Sequence, residues 1–176
     1  MFYISSNDLF FSQNILNVFL QKNLSVTGDK EQVFFANLFY QIRPSEIEIQ
    51  FNQNKKILSK PCRFETIFSH TIQLLSSYEV NVGRIVYLPI KQSMRLDTKI
   101  NFLNDIHNII FSSLTLYCDA GIERRILYHK IWPKDKEVQF NKLDTHLTNL
   151  KSKLKDELNY DCKIVTQAGK IKLIIN

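Results

Sequence analysis

The side chains best suited to binding chemistry lie between residues 140 and 155, where short polar residues and lysines recur at helical spacing. On a helix, one face of this segment carries uncharged side chains that can form hydrogen bonds, at Asn141, Thr145, Thr148, Asn149 and Ser152. Lysines border this strip on both edges, at Lys142, Lys153, Lys151 and Lys155. Such a face can enter a groove of DNA while its ammonium groups reach phosphates, although many solvent-exposed helices have the same composition.

Apolar residues around this face predict the elements that position it. The helix should bury one side, because apolar residues stand three or four apart at Phe140, Leu143, Leu147, Leu150 and Leu154. A basic β-hairpin with its turn at residues 167–169 should follow the helix. The evidence is that lysines and apolar residues alternate after the turn, at Lys170, Ile171, Lys172, Leu173 and Ile175. A helix followed by a basic hairpin is the arrangement of a winged helix-turn-helix.

The strings KLDTHLTNLKSKL and KIVTQAGKIKLI resemble the recognition helix and the wing of the OmpR/PhoB-type response-regulator effector domain. The helix motif of that family is matched at Leu143, Asp144, His146 and Leu147. The upstream string ILYHKIWP, with Trp132, resembles the end of the preceding helix. The resemblance implies double-stranded DNA as a partner, and it implies that the loop at 133–139 can face RNA polymerase.

The residues expected to contact DNA lie on the helix and at the wing turn, at Asn141, Lys142, Thr145, His146, Thr148, Asn149, Lys151, Lys153, Gln167 and Lys170. Asn149 and Thr145 are predicted to read base edges. Lys142, Lys151 and Lys153 are predicted to hold phosphates. His146 can bond a phosphate or pack against the sheet. The segment departs from the family at the wing, where Gln167 replaces a usual arginine and Ala168 a usual glycine. Thr148 and Asn149 also stand where arginines are common, which implies weaker non-specific binding.

The segments before this helix predict the rest of an effector domain. Short strands are expected at Arg84–Leu88, Gln92–Leu96 and Ile100–Leu103, and they resemble the small antiparallel sheet that opens this family. A helix capped by Asn104 or Asp105 should follow, and then a helix over Ile122–Trp132 that ends at Pro133.

Alternating strand and helix patterns in the first half predict a parallel sheet of the α/β class. A strand at residues 1–5 precedes a helix capped by Asn7 or Asp8. A strand at Leu24–Thr27 and a helix at Glu31–Gln41 should follow. A strand at Ser45–Phe51 comes next, and the last helix covers residues 64–75 after Lys60-Pro61. The first 76 residues resemble a receiver domain of flavodoxin-like fold that lacks about one β-α unit.

The chemistry of a receiver is missing from this half. A receiver places carboxylates after its first strand and a phosphoacceptor aspartate after its third, because they hold Mg²⁺ and accept a phosphoryl group. Here residues 5–8 supply one carboxylate, Asp8, and residues 50–53 read Gln-Phe-Asn-Gln. We therefore expect no phosphoacceptor and no metal site.

The charge distribution separates the two halves. Residues 1–83 hold 7 basic and 7 acidic residues, and residues 84–176 hold 16 and 10, so the whole formal charge of +6 lies in the second half. This asymmetry fits a nucleic-acid partner for that half. The predicted organisation is a receiver-like domain at 1–76, a linker at 77–83 and a winged helix-turn-helix at 84–176.

Other functional classes find little support in the sequence. No catalytic residue set, phosphate-binding glycine loop, cofactor motif or metal-ligand spacing is present, so an enzyme is not expected. No segment approaches a membrane span, and the three cysteines suggest a reducing compartment, which predicts a cytoplasmic protein. The sequence favours a phosphorylation-independent transcription regulator that forms a homodimer through the helix after Pro61. The alternative is an adaptor that keeps a winged fold but binds protein.

Overall fold

The computed structural model describes residues 1–22, 24, 26–32 and 34–175. The chain divides into two compact units, unit 1 at residues 1–78 and unit 2 at residues 79–176. No helix within the described ranges is both long and apolar enough to span a membrane.

Unit 1 combines a mixed sheet with two helices. Its described elements are β1 (Phe2–Ser6), α1 (Leu9–Gln21), β2 (Val26–Thr27), β3 (Asn37–Ile42), β4 (Glu46–Phe51), β5 (Asn54–Ser59) and α2 (Phe64–Ser76). The strand order is β2-β1-β3-β4-β5. Strand β1 runs parallel to β2 and β3, whereas β4 is antiparallel to both β3 and β5.

The parallel, receiver-like sheet expected from the sequence is therefore wrong for the second half of unit 1. A parallel pair needs a crossover of about a dozen residues or more. Only three residues, 43–45, join β3 to β4, and two residues, 52 and 53, join β4 to β5. These connections are long enough for hairpins alone, so β3, β4 and β5 form an antiparallel meander.

The helix predicted at Glu31–Gln41 is also wrong. Residues from Asn37 onward form β3, in which Leu38 and Tyr40 are buried on the side of the helices. Val33, in this prediction, and Ser25, in the predicted strand Leu24–Thr27, lie outside the described residues. Val26–Thr27 do form a strand, β2.

The core of unit 1 lies between one face of the sheet and the two helices. The rings of Phe19 on α1 and Phe68 on α2 are 5.1 Å apart, so the helices are neighbours on the same face. The Tyr40 hydroxyl lies 2.8 Å from Oγ1 of Thr71 inside this core. The start of α1 is as predicted, because the Asp8 carboxylate accepts a hydrogen bond from the backbone N–H of Phe11 at 2.9 Å.

Unit 2 begins with an antiparallel sheet and ends with a hairpin. Its described elements are β6 (Val80–Val82), β7 (Ile85–Leu88), β8 (Ser93–Leu96), β9 (Lys99–Phe102), α3 (Asp105–Leu116), β10 (Ile122–Glu123), α4 (Arg124–Ile131), α5 (Phe140–Leu158), β11 (Lys163–Gln167) and β12 (Lys170–Ile174). One sheet has the order β6-β7-β8-β9, and the other β10-β12-β11. A short sheet, three helices and a C-terminal hairpin in this order form a winged helix-turn-helix.

The elements of unit 2 follow the sequence predictions closely. Asn104 caps α3 by accepting a hydrogen bond from the backbone N–H of His107 at 2.8 Å. Two details differ. Residues 80–82 form strand β6 inside the segment expected to be a linker, and Ile122 and Glu123 form β10 because they pair with β12 before the helix begins.

Candidate nucleic-acid interface

Helix α5 presents the polar face that the sequence predicts. Its apolar side is buried at Leu143, Leu147, Leu150, Leu154 and Leu158, whereas Phe140 at its start is 41% exposed. The opposite strip is exposed at Asn141, Thr145, Thr148, Asn149 and Ser152. Thr145 donates its hydroxyl hydrogen to the carbonyl oxygen of Asn141 at 2.9 Å, so its oxygen remains an acceptor.

The lysines at the edges of this strip are not equivalent. The Lys142 ammonium lies 3.2 Å from the Asp135 carboxylate and 4.0 Å from the centre of the Trp132 ring. The Lys153 ammonium lies 3.8 Å from Glu157. Lys151 is half-buried and forms no ion pair among the described residues. Two of the three lysines expected to hold phosphates thus have acidic partners within the protein.

His146 packs within unit 2. Its ring centre lies 5.5 Å from that of Trp132 and 5.9 Å from that of His107 on α3, and the side chain is half-buried. The sequence leaves open a phosphate contact or packing against the sheet for His146; its ring contacts in the structure are with α3 and with the residue that follows α4. His107 itself is 6% exposed, and neither of its ring nitrogens has a hydrogen-bond partner among the described residues. Burial holds the pKa of His107 below its ordinary value, and His146 and Lys153 act in the same direction.

The wing is the hairpin of β11 and β12. Its turn has positive φ at both central residues, 49° at Ala168 and 76° at Gly169, which is the backbone of a tight hairpin turn. An alanine in this region costs roughly 1–2 kcal/mol relative to ordinary backbone. Gln167 and Lys170 flank the turn, face each other across the hairpin and are exposed. The wing therefore presents one amide and one ammonium group at its tip.

A residue that the sequence analysis did not single out connects the wing to α5. Arg124, the first residue of α4, places its guanidinium 2.6 Å from the Asp144 carboxylate and 4.5 Å from the centre of the Phe140 ring. Its backbone N–H donates to the carbonyl oxygen of Gly169 at 3.1 Å. In the sequence, this contact is indicated only by Asp144, an acidic residue on a helix face otherwise bordered by lysines.

The loop at 133–139 is fixed at Asp135. The Asp135 carboxylate accepts the Tyr128 hydroxyl hydrogen at 2.7 Å and pairs with Lys142. These contacts, with Tyr128 first, hold the pKa of the Asp135 carboxyl below its usual range. Pro133, Lys134, Lys136 and Glu137 are exposed around this anchored residue.

The residues compared with a phosphoryl pocket do not meet in unit 1. The end of β1 pairs with the end of β3, as Ser6 lies opposite Tyr40, whereas the end of β4 pairs with the start of β3, as Phe51 lies opposite Leu38. Residues 50–53 and Asp8 therefore lie at opposite ends of the strands of this sheet. Among the described residues, no group of three or more histidines, cysteines or carboxylates is placed to hold a metal ion.

The sequence matches no protein-family model and no curated protein. Among solved structures, the DNA-binding domain of E. coli CadC gives a TM-score of 0.49 at 17% identity, over 57% of this chain and 95% of that chain. The C-terminal domain of the nisin resistance regulator NsrR, a lantibiotic response regulator, gives 0.45 at 24% identity, over 55% and 96%.

A third structure covers 99% of this chain and 67% of the other, with a TM-score of 0.44 and 12% identity. It represents a family of redox sensors in the streptococci that evolved from two-component response regulators. Similarities at these scores and identities establish neither a shared function nor a shared partner.

Proposed function

We propose that the protein is a sequence-specific DNA-binding transcription regulator of the response-regulator type. The observation that supports this most is that unit 2 has both an exposed uncharged strip on α5 and an exposed wing turn, and that a backbone hydrogen bond joins the wing turn to the start of α4. A helix of this kind reads base edges in the major groove, and a hairpin tip beside it reaches the adjacent backbone or minor groove.

Individual roles follow from the surroundings of each side chain. Asn149 and Thr145 read bases, because both are exposed and retain hydrogen-bonding capacity. Lys151 and Lys170 hold phosphates, and Gln167 reaches into the groove beside the wing. Lys142 and Lys153 act more weakly, because each already has a carboxylate partner. Asn141 and Thr148 complete the groove-facing strip, and His146 supports the helix from behind.

The second candidate function is protein binding through the same face. Asp144, Asp156 and Glu157 are exposed on α5, and carboxylates on a DNA-facing helix oppose phosphate binding. A protein partner would tolerate this mixture of charges. The two functions differ in how affinity depends on salt, because only binding to DNA releases condensed counterions.

We infer that unit 1 acts without phosphorylation and as a homodimerisation unit. Support comes from the separation of Asp8 from residues 50–53 and from the exposure of Glu65 and Gln73 on α2 and of Arg63 just before it. Two winged units held together would occupy adjacent half-sites, which raises the local concentration of the second to about the millimolar range. The exposed part of loop 133–139 is the surface available to RNA polymerase, and a regulator of this type works in the cytoplasm.

A salt titration of the full-length protein tests the proposal. Affinity for a labelled duplex, selected from random oligonucleotides, is measured between low and physiological salt. A DNA regulator gives a straight log–log plot with a slope of about −0.9 for each phosphate neutralised, and it binds the selected duplex more tightly than a scrambled one. A slope near zero, or equal affinity for both duplexes at every salt concentration, would exclude sequence-specific DNA binding.

A further inference from the structure

Arg124 touches each of the elements that form the candidate interface. It follows β10 directly, and β10 pairs with β12 of the wing through Glu123 and Lys170. Its N–H group is bonded to Gly169 at the wing turn, and its guanidinium is paired with Asp144 on α5. Arg124 therefore contacts the wing through its backbone and α5 through its side chain.

The guanidinium of Arg124 is poorly placed to act as a phosphate ligand. Its side chain is only 23% exposed, one face lies over the Phe140 ring, and the Nε atom is buried without a partner among the described residues. The neighbouring Arg125, by contrast, is exposed and makes no ion pair in the described part of the chain. Two adjacent arginines thus stand in opposite surroundings.

We propose that Arg124 is a positioning residue that holds the wing turn and the first turns of α5 in one fixed arrangement for binding DNA. The inference rests on the proposed function of unit 2. An element that shifts relative to its neighbour loses several contacts at once, because both must fit the same duplex. Asp144 has the complementary role, since its carboxylate orients the guanidinium even though its negative charge disfavours DNA electrostatically.

Whether Asp144→Asn raises or lowers DNA affinity distinguishes a positioning role of Arg124 from a purely electrostatic one. Asp144→Asn removes a negative charge from the face toward DNA and frees Arg124, so affinity should rise if charge alone matters or if Arg124 binds phosphate. If Arg124 positions the wing and α5, Asp144→Asn weakens binding instead. Because both residues act through one ion pair, the double variant Arg124→Ala/Asp144→Asn should bind no more weakly than Arg124→Ala alone.

The experiment measures salt-dependent DNA affinity of full-length Arg124→Ala, Asp144→Asn and the matched control Arg125→Ala. We expect Arg124→Ala to weaken binding by about tenfold or more with the log–log slope unchanged. A residue that holds a phosphate would instead reduce the slope by about 0.9. Tighter binding by Asp144→Asn, or a reduced slope for Arg124→Ala, overturns the proposal.

Hydrogen exchange without DNA keeps this test separate from the proposed function. Arg124→Ala should speed exchange at the backbone amide of residue 124, at residues 169–172 and at residues 141–145, while amides of α3 keep their protection. If the wild type shows no salt-dependent DNA binding, the proposed function fails, yet the exchange data still decide whether Arg124 couples the wing to α5. Unchanged exchange at these amides overturns the coupling. Asp144→Asn serves if Arg124→Ala does not fold, because the Asp144 side chain is 51% exposed.

Discussion

The ammonium nitrogen of Lys142 lies 3.2 Å from Oδ2 of Asp135 and 4.0 Å above the ring of Trp132. This arrangement joins the start of α5 to the loop before it and to the end of α4. Because Asp135 partly neutralises the charge of Lys142 and the indole ring covers it, Lys142 is less available to a phosphate than an unpaired lysine.

The salt dependence of DNA binding should therefore distinguish the lysines. We expect Lys170→Ala, at the exposed wing tip, to reduce the log–log slope by about 0.9, and Lys142→Ala to reduce it by less. The measurement is a salt titration on one duplex, with Lys56→Ala on unit 1 as the control that leaves the slope unchanged. Equal reductions for Lys142 and Lys170 would contradict the assignment.

Asn149 should determine sequence preference rather than overall affinity. Its exposed amide offers a donor and an acceptor, which match the N6 and N7 atoms of adenine. We expect Asn149→Ala to lose about 1–3 kcal/mol of discrimination at one base position. Affinities for a selected duplex and its single-base variants provide the measurement. Lys151→Ala is the control, because it should weaken all duplexes alike; uniform weakening by Asn149→Ala would refute base reading.

Helix α5 was predictable because its apolar stripe over the 15 residues from Phe140 to Leu154 fits only a helical period. Four of the five predicted stripe positions are buried, and the exception, Phe140, is the first residue of the helix and lies beneath Arg124. The hairpin after it was predictable for the same reason, since alternating lysines and apolar residues fix its register.

Unit 1 was harder to predict because its local patterns are ambiguous. The apolar residues Leu38 and Phe39 fit a helix as well as a strand. This segment is a strand because it pairs antiparallel with β4, which in turn pairs with β5. Strand β5 carries Lys55, Lys56 and an exposed Ile57 at a sheet edge, so it shows no alternation. The Arg124–Asp144 pair spans 20 residues, and its contact depends on how α4 packs beside α5.

The stability of unit 2 should fall as the pH drops from 6.5 towards 5. Burial lowers the pKa of His107 in the folded protein, so it stays neutral there while the unfolded chain takes up a proton below about 6.5. This contribution is complete above pH 6.5 and is lost as pH falls towards the folded pKa. Its slope is at most about 1.4 kcal/mol per pH unit.

Urea unfolding followed by the fluorescence of Trp132, the single tryptophan, measures this dependence. His107→Gln should flatten the profile between pH 5 and 6.5, whereas His70→Gln in unit 1 serves as the matched control. If His107→Gln keeps the wild-type slope, the buried imidazole does not cause the pH dependence.

Phosphodonors should leave the protein unchanged. No carboxylate occupies residues 50–53, and the lone Asp8 carboxylate already caps α1 through the Phe11 N–H group. Incubation with a small phosphodonor and Mg²⁺ should therefore alter neither intact mass nor DNA affinity. An acid-labile mass increase on any residue between Glu46 and Asn54 would contradict this prediction.

Unit 1 should form dimers through α2. Glu65 and Gln73 are exposed on this helix, and a lysine at position 73 would place like charges in a helix-to-helix contact between two copies, which opposes their pairing. We expect the full-length protein to sediment as a dimer at tens of micromolar and Gln73→Lys to sediment as a monomer. The matched control is Gln13→Lys on the exposed side of α1, which should remain dimeric. A wild type that is monomeric and protects a single half-site in footprinting would rule out the dimer, whereas dimers that persist in Gln73→Lys would place the contact elsewhere than on α2.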